Sequence, residues 1–389
     1  MKNSPVMAFF QKYTMIIALV VVMIFFYFST DGKIMYAQNI NNLISQNGYV
    51  FVLATGMLLC ILTGGNIDLA VGSVVCFAGA VGAMMMKGGI NVWLAVIVML
   101  VVGLLIGMFQ GYWIAWVSVP PFIATLAGMY AFRGFSNVVL NGFAVAINNQ
   151  TFLNVFGGGA SCYVPDFLGG NGMNLTCMVA GVVIAVIYAV ITIRTVISHK
   201  KLGIDVGNLA AKYLQTAVIC GVIIWFFYKL SNYKGIPSTL IWVAVVMLGY
   251  NYILANTSVG RYLYAVGGNE KATLLSGVNT KLVYFVAYAN MGLLAGLAGI
   301  LTVARATSAQ PTYGQGYEMD AIAACFIGGA SAYGGTGKIS SVFVGALLLG
   351  VINQGMSIMG IEANYQRVVK GIVLLLAVLF DVLSKRQKK

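Results

Sequence analysis

Long apolar runs separated by short polar breaks extend along the whole chain. The runs are roughly 14–30, 47–63, 70–86, 92–117, 121–140, 174–195, 213–230, 238–256, 282–304, 318–336, 339–361 and 368–384. A run of about 18 or more apolar residues is long enough to cross the hydrocarbon core as a helix. The pattern therefore predicts an all-α polytopic membrane protein with about 12 transmembrane helices, within a range of 10–12. The range reflects two segments, near 64–72 and 328–338, whose glycine content predicts broken or re-entrant backbone. Such backbone is tolerated at membrane depth only where protein buries it or where it lines a cavity.

One polar break, 260–281, has more organisation than a connecting loop needs. Gly267 and Gly268 permit an unusual turn, and Asn269 is a good N-cap. Glu270 then falls in a first helical turn, where the helix dipole favours negative charge. Gly277 is placed to end the helix about two turns later. Lys271, Leu274, Leu275 and Val278 follow helical spacing, so one face is mainly apolar. A short, capped, amphipathic helix between spans needs something to dock against, and a second protein is the natural candidate.

Composition sharpens the membrane reading. Hydrophobic residues make up 60% of the chain and charged residues 8%, too little charge to cover a soluble globule. An apolar run at 15–28 follows Lys2 and Lys12, but it is longer than a signal-peptide core and Ser29-Thr30-Asp31 is a poor cleavage site. It is expected to be a retained first span. The net charge of +13 is scattered over short loops, which suits positive-inside topology and not a nucleic-acid surface. With the N-terminus inside, Lys2, Lys12, Arg194, Lys200, Lys201, Lys212, Arg261, Lys271, Lys281, Lys338, Lys385, Arg386, Lys388 and Lys389 collect on the inner side. Only Lys33, Lys87, Lys229, Lys234, Arg305 and Arg367 fall outside. Both termini and the 260–281 break are thus expected in the cytoplasm, and loop 140–173 outside.

Little in the chain suggests chemistry. The six cysteines show no Cys-x-x-Cys spacing and His199 is the single histidine, so neither a metal nor a redox centre is expected. Cys162 and Cys177 could meet on the outer side, although buried free thiols account for most of the six. Gly334-Gly335-Thr336-Gly337-Lys338 invites a phosphate-loop reading, but Ala332 and Ile339 occupy positions where that loop needs Gly and Ser or Thr. The chain is expected to bind no cofactor and no nucleotide of its own. Asp68 is either a membrane-embedded carboxylate that carries protons or ions, or the cap of a helix beginning at Leu69. Glu318 and Asp320 admit the same choice, with Asp320 read as a cap or an inter-helix tie. Arg133 is either a functional intramembrane cation or a side chain reaching the outer interface, and Lys370 lies near the start of the last run. No nucleophile–base pair or other catalytic site is visible.

Four ordered blocks carry a resemblance. The first is Gly260-Arg261 through Tyr264-Ala265-Val266-Gly267-Gly268-Asn269-Glu270-Lys271-Ala272 to Leu275-Ser276-Gly277-Val278. The second is Gly65-Asn66-Ile67-Asp68-Leu69-Ala70-Val71-Gly72-Ser73. The third is Pro121-Phe122-Ile123-Ala124-Thr125-Leu126 with Arg133-Gly134. The fourth runs from Tyr317-Glu318-Met319-Asp320-Ala321-Ile322-Ala323-Ala324 through Gly328-Gly329 to Gly334-Gly335-Thr336-Gly337. Together they resemble the bacterial ABC-type monosaccharide permeases, the membrane subunits of ribose, galactose, arabinose and xylose importers. Ala70 departs from the family's usual Ser. The stretch 196–237, absent from compact ribose-type members, makes the layout similar to xylose-type or multiple-monosaccharide permeases.

The resemblance implies one permease domain over 1–389, in the bacterial cytoplasmic (inner) membrane, with 260–281 as its cytoplasmic coupling segment. It implies that Gly268, Asn269, Glu270, Ala272, Leu275, Ser276 and Gly277 dock an ABC ATP-binding subunit, which uses ATP and magnesium. It further implies an extracytoplasmic sugar-binding protein and a second permease subunit, most simply a second copy. Asp68, Arg133, Glu318 and Asp320 are its pathway or structural-motif candidates. Two rivals stand beside this reading. An ion-coupled secondary sugar transporter would use Asp68, Asp320 or Arg133 as a relay. A membrane scaffold or lipid-handling protein would depend on neither sugar nor ATPase.

Overall fold

The computed structural model describes residues 5–170, 172–203 and 208–386, and side-chain surroundings from residue 14 to residue 379 within them. Lys2, Lys388 and Lys389, on which the expected topology partly rests, lie outside the described residues. Fifteen α-helices make up nearly all the regular structure among those residues. They are α1 (Pro5–Ser29), α2 (Ala37–Leu62), α3 (Val71–Lys87), α4 (Val92–Ala115), α5 (Pro121–Leu140), α6 (Gln150–Phe156), α7 (Leu175–Lys201), α8 (Leu209–Ser231) and α9 (Ser238–Asn256). Then come α10 (Ser258–Gly268), α11 (Glu270–Leu275), α12 (Thr280–Ala306), α13 (Tyr317–Ile327), α14 (Ile339–Ile358) and α15 (Ala363–Arg386). Two short strands, β1 (Val145–Ala146) and β2 (Ser308–Ala309), pair antiparallel with Val145 opposite Ala309.

Among the described residues, α2, α4, α5, α7, α8, α9, α12 and α14 are long and apolar enough to cross a membrane, and α3 is a shorter apolar helix. The protein is a multi-pass, all-α membrane protein. The broken backbone expected near 64–72 and 328–338 is present, so the apolar run at 318–336 is not one continuous helix. Only α13 is helical there, and its 11 residues rise about 16 Å against a hydrocarbon core of about 30 Å. The remainder, 328–338, is non-helical, as is 63–70 between α2 and α3. Helix α3 accordingly starts at Val71 and not at Leu69.

The chain divides into two compact units. One comprises 1–34, 43–162 and 239–389, and the other 35–42 and 163–238. In the larger unit α2 and α12 are buried along most of their length. Helix α12 packs on α4 through glycine: a Cβ at Gly107 would collide with the Tyr288 carbonyl and stand 2.9 Å from the Gly292 Cα. Backbones approach this closely in membranes because small residues replace the missing hydrophobic drive with dense contact. In the smaller unit α7 and α8 pack on one another, and most of their apolar side chains are exposed. The unit's loop is gathered onto Asp166, whose carboxylate accepts from the N–H groups of Leu168, Gly170, Leu175 and Thr176 and from the Thr176 hydroxyl at 2.8–3.2 Å. The Gly170 N–H foremost, then Thr176, hold the carboxyl well below the usual Asp range. All six cysteines are free, Cys162 and Cys177 included.

Candidate functional site

Helix α11 forms as its residues dictate. The Asn269 Oδ1 accepts the Ala272 N–H at 3.0 Å, satisfying one of the orphan donors of the first turn. Gly277 follows in the left-handed region, with φ +84°, where glycine ends helices without a Cβ penalty. The side chains of Asn269, Glu270, Leu275 and Ser276, and with them Gly268, Ala272 and Gly277, are all exposed. Leu275 is 89% and Leu274 59% exposed. Two adjacent leucines this open leave apolar surface uncovered on α11. The Tyr284 hydroxyl donates to Glu270 at 3.1 Å, tying α11 to the start of α12.

Gly267 and Gly268 do not form the expected turn. They are the last residues of α10, and neither takes a positive φ. Gly267 is needed for proximity instead: a Cβ there would collide with the Leu62 carbonyl and the Gly335 N–H. The Gly335 N–H donates to that Leu62 carbonyl at 3.0 Å. The Tyr264 hydroxyl, one turn earlier, donates to the Gly337 carbonyl at 2.7 Å. Gly334 in turn lies against the backbone of Gly64. The helix leading into α11 is thus seated on the last residue of α2 and on the 328–338 break, and the two breaks are seated on each other. The 334–338 run that resembles a phosphate loop is occupied by this backbone packing.

Beyond the breaks stand the acidic candidates. Asp68 is buried, and its Oδ1 accepts the Ala70 N–H at 2.8 Å just before α3 begins. Asp320 is buried on α13. It accepts from the Tyr49 hydroxyl at 2.7 Å and pairs with the Lys370 ammonium at 2.9 Å. Tyr49 also stacks on Tyr317, with ring centroids 3.6 Å apart. Asp320 therefore ties α13 to α2 and α15, while the N-cap position of α13 is Gly316. The Glu318 side chain reaches the backbone at Gly72. Arg133 donates to the carbonyls of Pro311 and Tyr313 at 3.2 and 2.5 Å, holding the segment that leads into α13. The pathway candidates do not converge on one point. Asp320 and Lys370 meet, Arg133 serves the approach to α13, and Asp68 sits in the other break.

Two features were missed in the sequence. One is a cavity of about 790 Å³ beside α11, lined by Asn66, Ser118, Pro121, Glu270, Leu274 and Tyr284 among others. No local signal joins residues so distant along the chain. The other is Gln110, 2% exposed, whose Nε2 has no hydrogen-bond partner. A lone amide inside the apolar run 92–117 was the available signal.

Over residues 39–378 the sequence matches the family described as branched-chain amino acid transport system / permease component. It is 35% identical over 378 residues to the xylose transport system permease protein XylH of Haemophilus influenzae, covering 97% of both chains. It is 33% identical over 383 residues to XylH of Escherichia coli strain K12, covering 97% of this chain and 93% of that one. The ribose import permease protein RbsC of the same strain is 35% identical over 350 residues, covering 90% of this chain and 87% of that one. No solved structure matches at a significant level.

Proposed function

This chain belongs to the family of branched-chain amino acid transport system permease components, among its xylose- and ribose-type members, and on that premise we propose that it is the membrane subunit of an ATP-driven monosaccharide importer. Its cargo is a pentose or related hexose, with xylose first because the xylose permeases align over nearly its whole length. The subunit sits in a bacterial cytoplasmic membrane with both termini inside and 10–12 spans. It works as a pair, most simply of two copies, receives sugar from an extracytoplasmic binding protein and binds no cofactor itself. ATP and magnesium belong to the partner ATPase.

The observation that carries the reading is α11, a capped helix with exposed leucines joined through α10 to the last residue of α2 and to the break that follows α13. Residues 260–281 act as the coupling segment, with Gly268, Asn269, Glu270, Ala272, Leu275, Ser276 and Gly277 as the docking element. A load on α11 passes through Gly267 and Tyr264 into the end of α2 and the break that follows α13. The chain acts as one permease domain, 196–237 being an addition to the compact layout. Asp68, Arg133, Glu318 and Asp320 are taken as the groups that hold those moving segments in place.

The test has two parts. Labelled D-xylose and D-ribose uptake is measured in cells with and without the gene, and the tagged chain is purified in mild detergent for partners. Uptake that requires the chain, together with an ABC ATPase that co-purifies and is lost on substituting Leu275 by Asp, is expected. Uptake that follows a proton or sodium gradient, with no ATPase recovered, would establish the ion-coupled rival instead.

A further inference from the structure

Helix α7 turns one face to α8 and leaves the opposite face bare. Gly181 lies against Phe227, where a Cβ would collide, and the Cys220 thiol donates to the Ala185 carbonyl at 3.4 Å. On the other side Val183, Ile187, Val190, Arg194, Ile197 and Lys201 recur at helical spacing, and all six are exposed. A single stripe therefore runs from branched aliphatic side chains into two cations. Neither cation makes an ion pair among the described residues. Lys200, also exposed, adds a third positive charge beside them. Asp166 is the single acid among the described residues of this unit, and Leu175 and Thr176 hold it at the opposite end of α7.

Depth follows the same division. Residues 175–193 carry no charge and rise about 28 Å, close to the hydrocarbon core of about 30 Å. Arg194 therefore stands at the edge of the core, and Lys201 about 10 Å further along the axis. Headgroups bring a bilayer to about 40–45 Å, so a phospholipid's phosphate lies between those two depths. Lysines that only set topology need no fixed relation to an apolar face. Arg194 and Lys201 have one, because they continue the stripe on which an acyl chain lies. The Arg fork binds phosphate oxygens in pairs, and Lys adds a compact charge.

We propose that this stripe is a binding site for an anionic phospholipid, phosphatidylglycerol, with an acyl chain along Val183 to Val190 and its phosphate between Arg194 and Lys201. Charge complementarity chooses this occupant. A zwitterionic headgroup brings an ammonium group, which Lys200 and Lys201 repel. A water-soluble partner covers the cations and leaves the aliphatic side chains beside them bare. The site involves none of the groups assigned to docking or to the pathway, so it stands or falls apart from the importer reading.

The test titrates the purified full chain in detergent with phosphatidylglycerol or phosphatidylethanolamine and counts bound lipid by native mass spectrometry. Phosphatidylglycerol with a photoreactive acyl chain then locates the site by peptide mapping. The wild type is expected to prefer phosphatidylglycerol at least tenfold, with cross-links within 183–201. Arg194→Gln combined with Lys201→Gln is expected to weaken that binding about thirtyfold, the effect of two lost cations at a membrane surface, at an unchanged melting midpoint. Arg194→Lys, which keeps the charge, should lose much less. Lys229→Gln, in the last turn of α8 at the other end of the hairpin, should change nothing. Equal binding of the two lipids, full binding by the double variant, or cross-links confined to other segments would each overturn the site. None of these readouts requires sugar, so their failure leaves the importer reading standing, and a chain that imports no sugar leaves the lipid preference measurable.

Discussion

Gly267 and Gly268 are neighbours in sequence and differ in what surrounds them. Gly267 faces the Leu62 carbonyl and Gly335, whereas a Cβ on Gly268 would meet nothing within 4 Å. Gly267→Ala should therefore cost about 1–3 kcal/mol through overpacking against backbone that cannot yield. Gly268→Ala, at a helical φ, should be neutral or slightly stabilising. Melting of the purified protein in detergent checks the difference, and equal midpoints for the two variants would contradict it. Asp166 gives a second single-residue test. Its folded pKa is depressed, so its contribution is complete above the unfolded value of about 3.9 and is lost as pH falls through the lower folded value. Proteolysis of the loop around Asp166 should be unchanged between pH 7 and pH 5 and rise only in stronger acid. Asp166→Ala should open the loop at every pH.

At the scale of elements, α13 is the piece that most needs external support. It is too short to span, and non-helical segments flank it on both sides. The support comes from Asp320, which reaches Tyr49 on α2 and Lys370 on α15. Removing one partner of a buried pair leaves an uncompensated charge, at a cost of about 3–5 kcal/mol. Lys370 is 25% exposed, which screens the pair, so Lys370→Met should fall at the low end of that range. The double variant Asp320→Leu, Lys370→Met should be more stable than Lys370→Met alone, because no stranded carboxylate remains. Thermal midpoints of the three proteins measure this, and a double variant less stable than the single would show that the tie does more than neutralise charge.

For the whole molecule, α10 rests on the last residue of α2 and on the break that follows α13, which places α11 next to both. Glu270 is exposed, lies at the helix start and accepts from Tyr284. Glu270→Lys reverses the charge at the positive end of the helix dipole and removes the Tyr284 acceptor. It should lower sugar uptake about tenfold, a coupling loss within the usual range, while leaving the protein's melting midpoint near that of the wild type. Uptake and ATPase stimulation both at wild-type level would remove Glu270 from the coupling path.

The sequence alone determined the membrane class, most span positions and the cap geometry of α11. Each of these is set by local composition or by spacing within one helical turn. Asn269 and Gly277 do their work on residues three to five positions away, and the residues suffice to show it. Tertiary structure alone decided that Gly267 is a contact glycine and that Asp320 finds Lys370. It also placed the Gln110 amide, buried and without a hydrogen-bond partner for its Nε2, against Gly128. Those outcomes depend on backbones that meet across gaps of tens to hundreds of residues. Hydropathy records how apolar a segment is, and not whether another segment lies close enough to break it, pair with it or leave it unpaired.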